Sequence, residues 1–294
     1  MDIIEQFSAA LADRITQAAP IVVGIRAGQH QSSGILWRPD VVLASEQVLG
    51  DDPRLTVTGG GQTVEATLAG RDIGTNVAVL KLRTALTGAL PPSAAAPNVG
   101  SLALVVGADA AGGPTARLAM VHALGDAWTS MAGGRIDALI RLDTRLGADE
   151  GGPVLSLDGG MLGMSTSGPR RRTIVIPMAT LERVVDPLLT EGRIPRGWLG
   201  LGLQPVMIPD SLRPAAGRES GLMVVSLAAS APAETAGVLP GDIVLDIDGK
   251  PVARPRALTA SLSSDRIGQA VMLRVLRAGA VQAISVTIAA RPAA

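Results

Sequence analysis

Ala148-Asp149-Glu150-Gly151-Gly152-Pro153 is the stretch on which the reading of this chain turns. Its two glycines and proline mark a tight loop. The loop leads into an apolar, strand-like run, Val154-Leu155-Ser156-Leu157, and that run ends at a turn, Asp158-Gly159-Gly160. A short apolar strand between turn residues is the repeating unit of the surrounding sequence.

Working outward, the chain from Pro20 to about Thr180 reads as twelve such strands between Gly, Pro, Asn and Asp turns. They begin with 21–25, 34–37, 41–44, 55–58, 64–68 and 77–82, and continue with 102–106, 117–124, 138–142, 154–157, 161–165 and 173–176. Few helices intervene, which predicts antiparallel barrels or a sandwich. Many of the strands are apolar on most sides, as in a small closed barrel. Ahead of them, Ile4, Phe7, Leu11 and Ile15 recur at helical spacing and predict an amphipathic helix over 3–18. Behind them, Leu181, Val184, Val185, Leu188 and Leu189 predict another helix, with Thr180 as its N-cap and Gly192 as its C-cap. Residues 193–197 form a short linker, so the expected domains are 1–19, 20–192 and 193–294.

The last hundred residues are a separate unit. A Gly-rich entry, Trp198-Leu199-Gly200-Leu201, leads to strands, a short helix at 231–237 and a hairpin turn at Asp248-Gly249-Lys250. A second helix is expected over 256–263, and a closing hairpin turns at Ala278-Gly279.

Composition narrows the chemistry. The 26 basic and 26 acidic residues balance, so nothing points to nucleic acid or an acidic membrane. With no cysteine there are no disulfides and no thiol catalysis. With only two histidines, His30 and His122, and no cysteine, a metal site is not expected, nor is a cofactor. No run approaches the roughly 20 apolar residues of a membrane span. The acidic start Met1-Asp2 lacks a signal sequence. Met1 as the natural start points to the cytoplasm, and a signal peptide removed ahead of it to the periplasm.

The C-terminal unit resembles a PDZ domain, on the motif Ala231-Pro232-Ala233-Glu234-Thr235-Ala236-Gly237 followed by Gly241-Asp242, and on the Trp198-Leu199-Gly200-Leu201 loop. The resemblance implies that a peptide C-terminus adds as a strand beside the segment after this loop. Leu258 and Leu262, four apart, would line the groove, although a core position is the commoner role for a buried leucine. The opening hexapeptide resembles the nucleophile loop G-[ND]-S-G-G-P of trypsin-like proteases. Together with Met120-Val121-His122-Ala123-Leu124-Gly125 and Ile174-Val175-Ile176-Pro177, it is similar to the HtrA/Deg family of serine proteases. That family implies a mainly β fold: two chymotrypsin-like antiparallel β-barrels with a catalytic triad between them, then a linker helix and a PDZ domain. It also implies a homotrimer held by N-terminal aromatics, of which this chain has only Phe7 in that segment.

The triad itself departs from the family. Gln47 stands at the histidine position in Leu43-Ala44-Ser45-Glu46-Gln47-Val48, and Asn76 at the aspartate position in Thr75-Asn76-Val77-Ala78-Val79-Leu80-Lys81. Glu150 replaces the serine, and Ala148, beside Asp149, replaces the glycine of the oxyanion loop. A glutamine amide cannot take and return a proton at neutral pH. A carboxylate also sits badly where an oxyanion must form. The expectation is therefore a pseudoprotease that binds peptide C-termini or unfolded segments as an adaptor, chaperone or regulator. The alternatives are an endopeptidase with an unrecognised triad and a structural subunit beside an active paralogue. For the cleft, the expectation is a hydrogen-bonded chain through Asn76, Gln47 and Glu150, with Glu150 turned to the loop N–H groups as a plug. A solvated glutamate without a role is the alternative.

Overall fold

The computed structural model describes residues 2–50, 54–255, 258 and 261–292. The chain divides into two compact units, residues 1–194 and 195–294.

Helix α1 (Ile3–Ala18) opens the first unit, started where the Asp2 N–H donates to the Glu5 carboxylate at 3.0 Å. Leu11 and Ile15 pack on the core, whereas Ile4 and Phe7 stay exposed, so only the C-terminal half of the expected apolar stripe is used.

Six strands then close a first barrel: β1 (Val22–Ala27), β2 (His30–Arg38), β3 (Val41–Ser45), β4 (Leu55–Gly59), β5 (Gln62–Asp72) and β6 (Val77–Leu82), with one helical turn, α2 (Glu46–Leu49), after β3. Their order around the barrel is β1-β2-β3-β6-β5-β4. A second barrel is built from β7 (Leu102–Ala108) and β8 (Pro114–Gly125) and, after a small hairpin of β9 (Trp128–Thr129) and β10 (Arg135–Ile136), from β11 (Leu139–Leu142), β12 (Pro153–Ser156), β13 (Met161–Ser167) and β14 (Thr173–Pro177). It closes in the order β11-β14-β13-β12-β7-β8. Closure explains why these strands are apolar without clean alternation: β3 and β14 are buried at every residue, and a closed sheet leaves no edge to protect.

Helix α3 (Met178–Glu191) follows directly on β14. It starts earlier than expected, with Pro177 and not Thr180 at the cap. Thr180 is instead fully buried, its hydroxyl accepting the Asp137 N–H at 2.9 Å and donating to the Asp137 carboxylate at 2.9 Å. At the far end Gly192 is left-handed (φ 71°), and its N–H caps Leu188.

The second unit contains β15 (Gly197–Trp198), β16 (Leu201–Met207), α4 (Arg213–Ala216), β17 (Ser220–Leu227), α5 (Pro232–Thr235), β18 (Ile243–Ile247), β19 (Lys250–Pro251), β20 (Ala270–Arg277), β21 (Ala280–Thr287) and β22 (Ala289–Ala290). The main sheet runs β16-β17-β18-β20-β21, which leaves β16 at one end, while β15 pairs with β22. Asp248-Gly249 and Ala278-Gly279 both take positive φ at two successive residues, as tight hairpins of right-twisted strands require. Half of the helix expected over 256–263 lies outside the described residues; Leu258 is helical, but residues 261–263 are turn and irregular backbone, so the helix does not run to Ser263 as expected.

Candidate functional site

Three strand ends and a helical turn meet in the first unit. Ser45 ends β3, Gln47 lies on α2, Asn76 immediately precedes β6, and Thr166 and Ser167 close β13. Glu150, on the loop before β12, projects among them and is buried at 6 % exposure. Its Oε1 accepts from Gln47 Nε2 at 2.5 Å, Ser45 Oγ at 3.1 Å, Thr166 Oγ1 at 3.3 Å and the Ser167 N–H at 3.1 Å. Its Oε2 accepts from Ser167 Oγ at 2.6 Å. Such a set of donors is what a carboxylate removed from water requires.

Asn76 holds the opposite wall. Its Oδ1 accepts the Gln47 backbone N–H at 2.9 Å, and its Nδ2 donates to Ser45 Oγ at 3.0 Å and also to Thr166 Oγ1. Its φ of 56° is left-handed, a conformation asparagine tolerates better than most residues. Gln47 Nε2 also reaches the Ser167 carbonyl at 3.0 Å. Gln47 thus bonds Glu150 directly, while the Asn76 side chain reaches them through Ser45, Thr166 and the Gln47 backbone N–H.

The loop before β12 is tied both to itself and to the strands beside it. The Glu150 N–H donates to the Gly147 carbonyl at 3.1 Å, and the Gly151 N–H to the Ser165 carbonyl at 3.0 Å. The Ala148 carbonyl accepts Ser33 Oγ at 2.7 Å. Asp149, 5 % exposed, accepts from Arg117 Nε at 2.6 Å and from the Gly147 N–H at 2.8 Å. The hydrogen bond and charge of Asp149 push the Arg117 pKa up, so the guanidinium stays charged. The expected turn of Glu150 toward the loop amides is therefore not what the structure has. The Glu150 N–H goes to the Gly147 carbonyl and the Gly151 N–H to Ser165 of β13, while the carboxylate engages β13, Ser45 and Gln47. The solvated alternative also fails, because Glu150 is buried.

The cage holds a carboxylate, hydroxyls and amides but no imidazole; His30 and His122 are exposed on β2 and β8. Ser45, the hydroxyl nearest Glu150 on β3, is wholly buried, so a substrate carbonyl has no approach to it. Among the described residues no cluster of three His, Cys, Asp or Glu side chains could hold a metal ion.

In the second unit the Trp198-Leu199-Gly200-Leu201 loop joins β15 to β16. The Leu199 carbonyl accepts the Ala233 N–H at 3.0 Å and the Gly200 carbonyl accepts the Ala228 N–H at 2.9 Å. In a planar trans peptide C=O and N–H point opposite ways, so the Gly200 and Leu201 N–H groups face away from α5 and β17, side by side. Gly200 is left-handed (φ 81°), and a Cβ there would collide with Ala231. Leu258 and Leu262 are 5 % and 7 % exposed and pack in one core with Leu199. Trp198 is half-buried and pairs with Ala289.

Comparison with known proteins places these two units. A trypsin-like peptidase domain model matches residues 32–164 and a PDZ domain model residues 200–288. A probable periplasmic serine endoprotease, DegP-like, of Brucella suis is 30 % identical over 274 residues, covering 89 % of this chain and 53 % of the relative. An HtrA-type protease, AlgW, solved with a decapeptide, superposes with a TM-score of 0.73 at 21 % identity, over 96 % of this chain and 99 % of that one. The chain belongs to the HtrA-type family. The serine endoprotease of Yersinia pestis shares the fold as well, with a TM-score of 0.72 at 23 % identity, over 96 % of this chain and 98 % of that one.

This HtrA-type chain spans about half the length of the curated relatives it matches. Two cage residues, Thr166 and Ser167, were not singled out from the HtrA-type sequence. Nothing local marks them, since strand register alone carries β13 past Glu150. Among the described residues no helix is long and apolar enough to cross a membrane. The relatives are named periplasmic, which gives the cytoplasmic expectation no support.

Proposed function

We propose that this HtrA-type chain is a pseudoprotease: it holds peptide C-termini or unfolded segments on its PDZ unit and does not hydrolyse them. The observation that carries the reading is the Glu150 carboxylate, seated among Ser45, Gln47, Thr166 and Ser167 where a nucleophile would have to stand. Gln47, Asn76 and Glu150 occupy the histidine, aspartate and serine positions in this reading. A hydrolase of this class needs an exposed nucleophile, a base that titrates near neutrality and free N–H groups for the oxyanion. Here the Ser45 hydroxyl is buried, an amide stands at the histidine position, and the Glu150 N–H is spent on Gly147.

The paired N–H groups of Gly200 and Leu201 suit a terminal carboxylate, and the decapeptide held by the AlgW neighbour fits the same use of the fold. The naming of its relatives supports a periplasmic location, and the role proposed there is that of an adaptor, chaperone or regulatory subunit. The test is incubation with unfolded casein, followed by gel and mass spectrometry, beside a binding assay with free-carboxylate and amidated peptides. Intact casein and carboxylate-dependent binding are expected. Casein fragments at neutral pH that persist after purification to homogeneity would contradict the reading.

A further inference from the structure

Strand β16 ends the sheet, and its backbone orientation can be read residue by residue. In an antiparallel pair, facing residues either exchange both hydrogen bonds or turn both pairs of groups away from each other. Leu203 faces Val224, but the Val224 N–H and C=O are both used on its other side, by the Asp242 carbonyl and the Gly241 N–H at 2.8 Å each. Leu203 therefore turns its N–H and C=O to the open edge. Pro205, two residues on, faces Leu222, which is the residue that pairs with Val244 of β18. It shares the outward orientation. The neighbours fix the same parity: the Ala228 N–H donates to the Gly200 carbonyl at 2.9 Å, and the Ile208 N–H to the Glu219 carbonyl at 2.8 Å. The open edge thus presents Leu201, Leu203, Pro205 and Met207 in turn.

Proline has no N–H, so the series of outward donors breaks at Pro205. Pro205 is also exposed, as is Met207 beyond it. From this geometry we infer that Pro205 limits the groove to the last few residues of a peptide, making this chain a reader of short C-terminal tags and not of extended segments. The inference rests on the peptide-binding reading above. The terminal carboxylate sits at the Gly200 and Leu201 N–H groups, and the last residue donates its N–H to the Leu201 carbonyl. The residue two before it exchanges both bonds with Leu203. The residue four before it meets Pro205 and finds an acceptor but no donor. The ladder is complete over roughly four residues and then fails.

The test uses the whole chain and two peptides with the same free C-terminus. A tetrapeptide is selected from a C-terminal library by fluorescence anisotropy and then extended at its N-terminus to an octapeptide with Thr-Ala-Thr-Ala. The two are expected to bind within twofold of each other. Pro205→Val supplies the missing donor on an exposed edge, and is expected to tighten the octapeptide about fivefold, the worth of one net hydrogen bond, without changing the tetrapeptide. An octapeptide that binds the wild-type chain tenfold tighter than the tetrapeptide would overturn the inference while leaving the groove intact, and that comparison needs no variant. Equal effects of Pro205→Val on both lengths would also overturn it. Failure of both lengths to bind, or equal binding of their C-terminal amides, would overturn the peptide-groove reading itself.

Discussion

Gln47 Nε2 lies 2.5 Å from Glu150 Oε1, joining α2 of the first barrel to the loop that enters β12 of the second. The amide donates and the carboxylate accepts, and the Gln47 amide has no lone pair that takes up and returns a proton at neutral pH, as an imidazole would. This contact ties the two barrels of the first unit together across their cleft.

The carboxylate should accordingly be a stability element. Glu150→Ala removes the common acceptor of Ser45, Gln47, Thr166 and Ser167 and leaves buried donors unpaired. A loss of about 3 kcal/mol from the first unit is expected, read as an earlier denaturant transition while the PDZ transition stays in place.

Arg117 and Asp149 fix the neighbouring loop. Arg117→Ala strips a buried carboxylate of its cation, but the guanidinium is 48 % exposed, so solvent screening reduces the cost to about 1–2 kcal/mol. Hydrogen exchange should rise at the Gly147 and Glu150 amides more than at those of β7.

Gly151 has no tolerable substitute. Its φ is 92°, and a Cβ would run into the Ser33 carbonyl. Gly151→Ala should cost about 2–3 kcal/mol, whereas Gly50→Ala, also left-handed but with open space around it, should cost about 1 kcal/mol. Thermal unfolding of the two variants gives the comparison.

Acid should loosen the PDZ unit through Asp248. The Met272 N–H, then Arg266, hold this carboxyl below the ordinary aspartate range. A depressed carboxyl contributes stability above its unfolded pKa and loses it as pH falls through the folded value. Asp248→Asn should therefore flatten the fall in stability of the isolated PDZ transition below the ordinary aspartate range and leave the neutral-to-alkaline arm unchanged in slope.

Much of the fold was legible because turn glycines and apolar runs set strand positions directly. Gly192, the Asp248-Gly249 turn and the Ala278-Gly279 turn all do in the structure what their residue types require. Thr180 misled because a threonine at a helix start suits a cap, and only the structure brings Asp137 beside its hydroxyl. Ile4 and Phe7 carry the right spacing, but periodicity does not say how far along a helix the core reaches. Within the cleft, Gln47, Asn76 and Glu150 were readable from flanking motifs. Ser45 bonds Glu150 across 105 positions, a relation fixed by barrel register and invisible in local sequence. The direction of the Pro205 edge likewise depends on what Val224 does on its other side.

The most direct test of the account is reaction of the native chain with a fluorophosphonate that carries a mass label, followed by intact-mass measurement. An activated, accessible serine is captured covalently; a wholly buried Ser45 is not. No mass increase is expected under conditions that label a working serine protease to completion. Stoichiometric addition mapped to Ser45 or to any other single serine of the first unit, lost on prior unfolding, would contradict the account.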